Sequence, residues 1–160
     1  MKRLVATIVL TAVLFPVFCA SGTFAGMNVY DSRGTAVTDS VFADYEVTVV
    51  NVFTTWCYWC LVEMPDLVEM STGMPKGTNL MAICADAYEA PEDLKQIIEY
   101  FRIGFPVLKM TTKALQGISN ITGFPTTFFV DSQGTIIRTA VGVQDYRAIL
   151  EAILKEKRGV

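Results

Sequence analysis

The stretch TTWCYWCLVEMP, Thr54 to Pro65, sets two cysteines three residues apart, with tryptophans at Trp56 and Trp59, directly behind the apolar run VTVVNVF of Val47 to Phe53. That run reads as a buried strand, and Trp59 to Ser71 as a helix that Pro65 is expected to kink. Cysteines at i and i+3 in a first helical turn share one face, at a separation a disulfide can span. A position just after a strand also puts Cys57 at a helix amino terminus, where unpaired N–H groups and the helix dipole favour a thiolate. Cys57 is therefore the expected nucleophile and Cys60, one turn further in, the resolving partner.

Other chemistries use the same spacing, and the rest of the composition weighs against them. A zinc site needs about two further nitrogen or sulfur ligands. The chain has no histidine, and of its four cysteines only Cys84 remains besides this pair and Cys19 in the leading apolar segment. Leu61 follows Cys60 where covalent c-type haem attachment requires histidine. A peroxidase of peroxiredoxin type would share Thr54 three residues before the cysteine, but it would carry proline where Val50 stands. No metal and no organic cofactor are expected.

Outward from the pair, strands and helices alternate. Asn79 to Cys84 is a short apolar run, a helix starts at Pro91 and is expected to stop at Gly104, and Phe105 to Met110 is extended. Lys113 to Ile118 forms a short helix and Asp145 to Lys157 an amphipathic terminal one. Two hairpins frame this order, Met27–Tyr30 with Thr35–Thr38, and Thr126–Val130 with Ile136–Val141. Their turns, Asp31-Ser32-Arg33-Gly34 and Asp131-Ser132-Gln133-Gly134, use the same chemistry: Asp bonds its own backbone and Gly takes a positive φ. The pattern predicts an α/β fold with a central mixed sheet flanked by helices and an added amino-terminal hairpin.

The 160 residues fit one ordinary domain preceded by a short segment. Lys2 and Arg3, an apolar stretch from Leu4 to Phe18 and the small residues before Gly26 read as a secretory signal peptide cut after Ala25, leaving a domain of residues 26 to 160. Retention as an amino-terminal anchor is one alternative. Lipidation of Cys19 is another, disfavoured by the bulk of Phe18. All three place the domain outside the cytoplasm, periplasmic or on the outer face of the cytoplasmic membrane, with membrane contact only through an uncleaved leader. Loss of Lys2 and Arg3 would leave 11 basic against 16 acidic residues, a balance that excludes nucleic acid as a partner.

The runs VNVFTTWCYWCLVEMP and, at Gly123 to Gly142, GFPTTFFVDSQGTIIRTAVG together resemble the thioredoxin superfamily. They are similar in particular to its TlpA-like and ResA-like extracytoplasmic members, usual form VNFWATWCxPCxxEMP. The resemblance spans residues 27 to 157 and implies a thioredoxin-like fold. It implies that Trp56 packs beside the disulfide, that Pro125 is a cis-proline against the cysteines, and that the Phe124 backbone pairs with an extended substrate segment by strand addition. Glu63 matches an acid that exchanges a proton with the resolving thiol. At 100° per residue Cys60 lies about 60° from Glu63 and about 180° from Glu69. Glu63 thus stands between the active face and a solvated stripe of Asp66 and Glu69, the bland alternative for it. Asn51 occupies the place where cytoplasmic thioredoxins carry a buried Asp, consistent with an acid moved to Glu63.

Tyr58-Trp59 departs from the family, which usually has proline before the second cysteine. Either aromatic could select a partner, and Trp59 serves equally well as packing. Cys84, within an apolar strand, reads as an inert core residue. The resemblance implies a reductant of exported protein disulfides, for example of apocytochrome cysteines before haem attachment, recharged by a membrane thiol donor. A disulfide oxidase or isomerase of the same fold is the alternative, as is a non-catalytic peptide-binding module with a static disulfide.

Overall fold

The computed structural model describes residues 22–159. Most of the expected leader, residues 1–21, lies outside the described residues. In chain order the elements are β1 (Asn28–Asp31), β2 (Ala36–Thr38), a 3-10 turn (Asp39–Phe42), β3 (Val47–Phe53), α1 (Tyr58–Thr72), β4 (Thr78–Cys84), α2 (Pro91–Phe101), β5 (Val107–Lys109), α3 (Thr112–Ile118), β6 (Thr126–Val130), β7 (Ile136–Val141) and α4 (Tyr146–Arg158).

The strands form one seven-stranded mixed sheet in the order β2-β1-β5-β4-β3-β6-β7. All seven residues of β3 are buried, as continuous apolar character requires of a strand covered on both faces. It pairs parallel with β4, from Val47 opposite Thr78 to Phe53 opposite Cys84. On its other side it runs antiparallel to β6, from Thr48 opposite Val130 to Val52 opposite Thr126. The leading hairpin joins through β1 against β5, so it extends the sheet at one edge.

Alternation along β3 creates two cores. Val47, Val49 and Phe53 pack with Met64 and Leu67 of α1 and Leu150 and Ile153 of α4. Val50 and Val52 face the other way, toward Leu115 of α3, Phe128 and Phe42. Both hairpin turns are closed as their sequence dictates: the Asp31 carboxylate accepts the N–H groups of Arg33 and Thr35, and Asp131 those of Gln133 and Thr135. Gly34 and Gly134 supply the positive φ, 85° and 77°.

Two expectations shift. Pro65 lies inside α1 without interrupting it; its exposed ring forfeits only the bond to the Leu61 carbonyl one turn back. The α2 helix stops at Arg102, which adopts the left-handed conformation (φ 55°), rather than at Gly104. Residues just ahead of Gly26 are packed in this structure. Phe24 is 1% exposed, with its ring between Phe42 and Phe128 at centroid distances of 5.4 and 6.0 Å. Its N–H donates to the Gly134 carbonyl at 2.8 Å, and Gly22 lies so close to the Ile118 carbonyl that no side chain would fit. Thr23 and Phe24 are thereby docked on the β6–β7 turn.

Candidate active site

The loop after β3 delivers Cys57 to the amino terminus of α1. Cys57 is the capping residue, in extended conformation, and its sulfur accepts the Cys60 N–H at 3.2 Å. A donor aimed at that sulfur, added to the helix dipole, stabilises a thiolate once the pair is reduced. The two cysteines are joined by a disulfide with Cα atoms 5.3 Å apart. Cys57 retains 6% exposure and Cys60 none, so an incoming disulfide meets Cys57 first.

Behind the pair lies a buried polar network that ties four elements together. Glu63, one turn beyond Cys60 on α1, is 1% exposed and so is not part of a solvated stripe with Asp66 and Glu69. Its Oε1 accepts the Asn51 amide N–H at 2.8 Å and its Oε2 the Tyr146 hydroxyl at 2.7 Å. Asn51 also donates to Thr127 Oγ1 at 2.9 Å; the two residues are direct neighbours across β3 and β6. Burial pushes the Glu63 carboxyl above the ordinary carboxylate range, against the lowering effect of its two donors. Burial and the adjoining Glu63 likewise push the Tyr146 hydroxyl up, so it remains a proton donor.

Tyr146 has a second acceptor, the Gly142 carbonyl at 3.1 Å. When Glu63 is ionised, the hydroxyl donates to it. When Glu63 is protonated, its own O–H can donate to the Tyr146 oxygen while the Tyr146 proton turns to Gly142. The network therefore has a complete hydrogen-bond pattern around this carboxyl in either charge state.

In front of the pair the surface is aromatic. Trp56, Tyr58 and Trp59 are 72, 69 and 60% exposed. Trp56 meets Phe124 edge to face at 6.1 Å, and Tyr58 meets Trp59 at 5.3 Å. Trp56 thus offers most of its surface to solvent, and Trp59 protrudes as well. The Phe124–Pro125 bond is cis. Pro125 is buried, and its carbonyl accepts the Gly142 N–H at 2.8 Å.

Asp86, just past β4, was not legible as a site residue. Its carboxylate accepts the Thr55 N–H at 3.0 and 3.2 Å and the Thr55 hydroxyl at 2.7 Å. It thereby holds the loop two residues before Cys57. The Cys84 thiol donates to the same carboxylate at 3.2 Å; burial and that negative neighbour push the thiol up, which keeps it unreactive. Tyr146 and Thr127 were missed too, since each is far from the cysteines in sequence.

The sequence profile of the AhpC/TSA family matches residues 15–139. The chain belongs to the AhpC/TSA family. Among AhpC/TSA-like relatives, the thiol-disulfide oxidoreductase ResA of Bacillus thuringiensis is 29% identical over 108 residues, 67% of this chain and 61% of that protein. The chain thus spans about 61% of the length of that relative. The ResA of Geobacillus kaustophilus is 23% identical over 174 residues, covering 96% of this chain and 99% of its own. Among solved structures, the thioredoxin domain of a thiol-disulfide oxidoreductase from Bacteroides vulgatus has a TM-score of 0.69 at 23% identity, covering 84% of this AhpC/TSA chain and 97% of that one. StoA from Bacillus subtilis gives 0.68 at 18% identity, covering 81% and 97%. These structural likenesses establish the thioredoxin fold.

Proposed function

We propose that this protein is an extracytoplasmic thiol-disulfide oxidoreductase that reduces disulfides of exported proteins. The observation that carries the reading is the Cys57–Cys60 disulfide at the α1 amino terminus, open at Cys57 and backed at Cys60 by buried Glu63. The names of the ResA relatives support the activity. A pneumococcal exposed lipoprotein thioredoxin with a TM-score of 0.67 supports a place outside the cytoplasm. Residues 1 to 25 would serve as the export signal or as an anchor whose junction reaches the packed segment at Gly22.

In the reductive direction the Cys57 thiolate attacks a substrate sulfur, forming a mixed disulfide and releasing the other substrate sulfur as thiolate. Cys60 then loses its proton, with Glu63 as acceptor, and attacks Cys57. The substrate–Cys57 bond breaks, the second substrate thiolate leaves, and two electrons have passed from the protein dithiol to the substrate. Tyr146 holds Glu63 through this exchange by donating to the carboxylate and accepting from the acid. Trp56, Tyr58 and Trp59 contact the substrate, and the backbone of Phe124, set by cis-Pro125, pairs with its extended chain. Apocytochrome cysteines are one substrate of this class, and a membrane thiol donor would restore the dithiol.

The test is the equilibrium reduction potential of the pair, titrated against a thiol buffer in protein starting at Gly22. A value near or below about −230 mV fits a reductant, and one near about −120 mV an oxidase or isomerase. Absence of a reversible couple, or insulin reduction that survives Cys57→Ser, would leave only a peptide-binding module with a static disulfide.

A further inference from the structure

Helix α2 carries more apolar surface than its packing uses. Leu94 enters the core, but Ile97 and Phe101 stay half-buried and Tyr100 is 81% exposed. These three residues line an open groove of about 710 Å³ whose opposite wall is formed by Thr55 and Leu61. Thr55 stands two residues before Cys57 and Leu61 four after it, so the groove leads away from the loop that presents the reactive sulfur.

The charge along this groove has one sign. Asp93 and Glu99 line it, and among the described residues no Lys or Arg does. The α1 helix contributes only the apolar Leu61 to this lining. Lys95, the one lysine of α2, turns instead into a separate pocket beside Arg33 and Lys109, a pocket that Glu99 also borders. Tyr100 packs on Phe101 with ring centroids 4.9 Å apart, and its exposure leaves ring surface on which a cation can sit.

We propose that this groove docks the polypeptide next to the substrate's disulfide cysteine, favouring an apolar side chain followed by lysine or arginine. The apolar side chain would lie on Leu61, Ile97 and Phe101, and the cation between Tyr100 and the carboxylates of Asp93 and Glu99. At about 3.3 Å per extended residue, a chain bonded at Cys57 reaches this floor within a few residues. The proposal rests on the thiol-disulfide reading above and assigns that site a substrate class: basic, apolar-flanked cysteines in unfolded or extended segments.

The test uses two short synthetic peptides with one cysteine each, blocked as a mixed disulfide, and identical except for Leu-Lys or Leu-Glu beside the cysteine. Second-order rates of their reduction by the dithiol protein are divided by each protein's rate with neutral hydroxyethyl disulfide. The wild type should prefer the lysine peptide by roughly three- to tenfold at low ionic strength, an effect that fades with added salt. The double variant Asp93→Asn/Glu99→Gln should bring the ratio close to one, and Tyr100→Ala should slow both peptides. A wild-type ratio of one, or an unchanged ratio in the double variant, overturns the docking surface while leaving the redox reading in place. Failure of the wild type to reduce hydroxyethyl disulfide overturns the redox reading, and the docking surface with it.

Discussion

The two sides of the Cys57–Cys60 bond are built on opposite principles. In front, Trp56, Tyr58 and Trp59 are held by little more than aromatic edges and stand mostly in solvent. Behind, Asn51, Glu63, Thr127 and Tyr146 are sealed from water and each has a named hydrogen-bond partner drawn from a different element. Surface aromatics are exchangeable contact area, whereas a buried polar network fails when one member is removed. On the function proposed above, the inner side would manage the proton and the outer one choose the partner.

Glu63→Gln should break the comparison most severely. Loss of the proton acceptor should slow turnover by about a hundredfold, with mixed disulfide accumulating at Cys57 in quenched, mass-analysed samples. Stability should move the other way. Because the folded chain holds the Glu63 proton above the ordinary value of 4.5, it binds more protons than the unfolded chain once pH passes that value. Wild-type stability therefore declines as pH rises from about 4.5 through the raised folded pKa. Glutamine lacks this ionisation, so the difference in urea midpoints between variant and wild type should grow in favour of the variant across that window.

Asp86→Ala should rank next, because it removes the carboxylate that joins the front loop to the sheet. A cost of about 2 kcal/mol in urea unfolding is expected from losing charge-assisted bonds to the Thr55 N–H and hydroxyl. Unchanged stability would show that the loop holds itself. Tyr146→Phe should have a subtler effect. Removing a donor that lowers the Glu63 pKa should shift the acid limb of the turnover profile to higher pH, with the fold retained; an unmoved limb would detach Tyr146 from the proton step. Trp59→Ala should alter stability by less than about 0.5 kcal/mol, while kcat/KM for a protein disulfide, but not for a small one, falls severalfold.

The sequence made the front of the site plain and the back only in outline. Cys57 and Cys60 follow from strand, spacing and helix start, and helical angles already set Glu63 beside Cys60. Its complete burial did not follow, because Glu63 is enclosed by Tyr146, 83 residues away, and no local pattern records that contact. Asp86 was hidden for a similar reason: it follows a strand that pairs with β3 in parallel, a contact made only after a full crossover. Arg102 ended α2 in a conformation expected of glycine, and Phe24 entered the core from the short stretch ahead of Gly26. In each case tertiary packing overrode a local preference, whereas the hairpin turns, which depend on one Asp and one Gly, came out as written.

Phe24 also gives the molecule a direction. Its N–H is bonded to Gly134, in the turn that follows Val130, and Val130 lies opposite Thr48 at the start of β3. Cys57 lies beyond the other end of that strand, seven residues and roughly 23 Å away along the sheet. Gly22, the first described residue, consequently lies toward the pole opposite the disulfide. Held by that end on a surface, the domain would stand with its sulfurs outward, free to sample passing chains across a hemisphere of orientations and shielded from its own support.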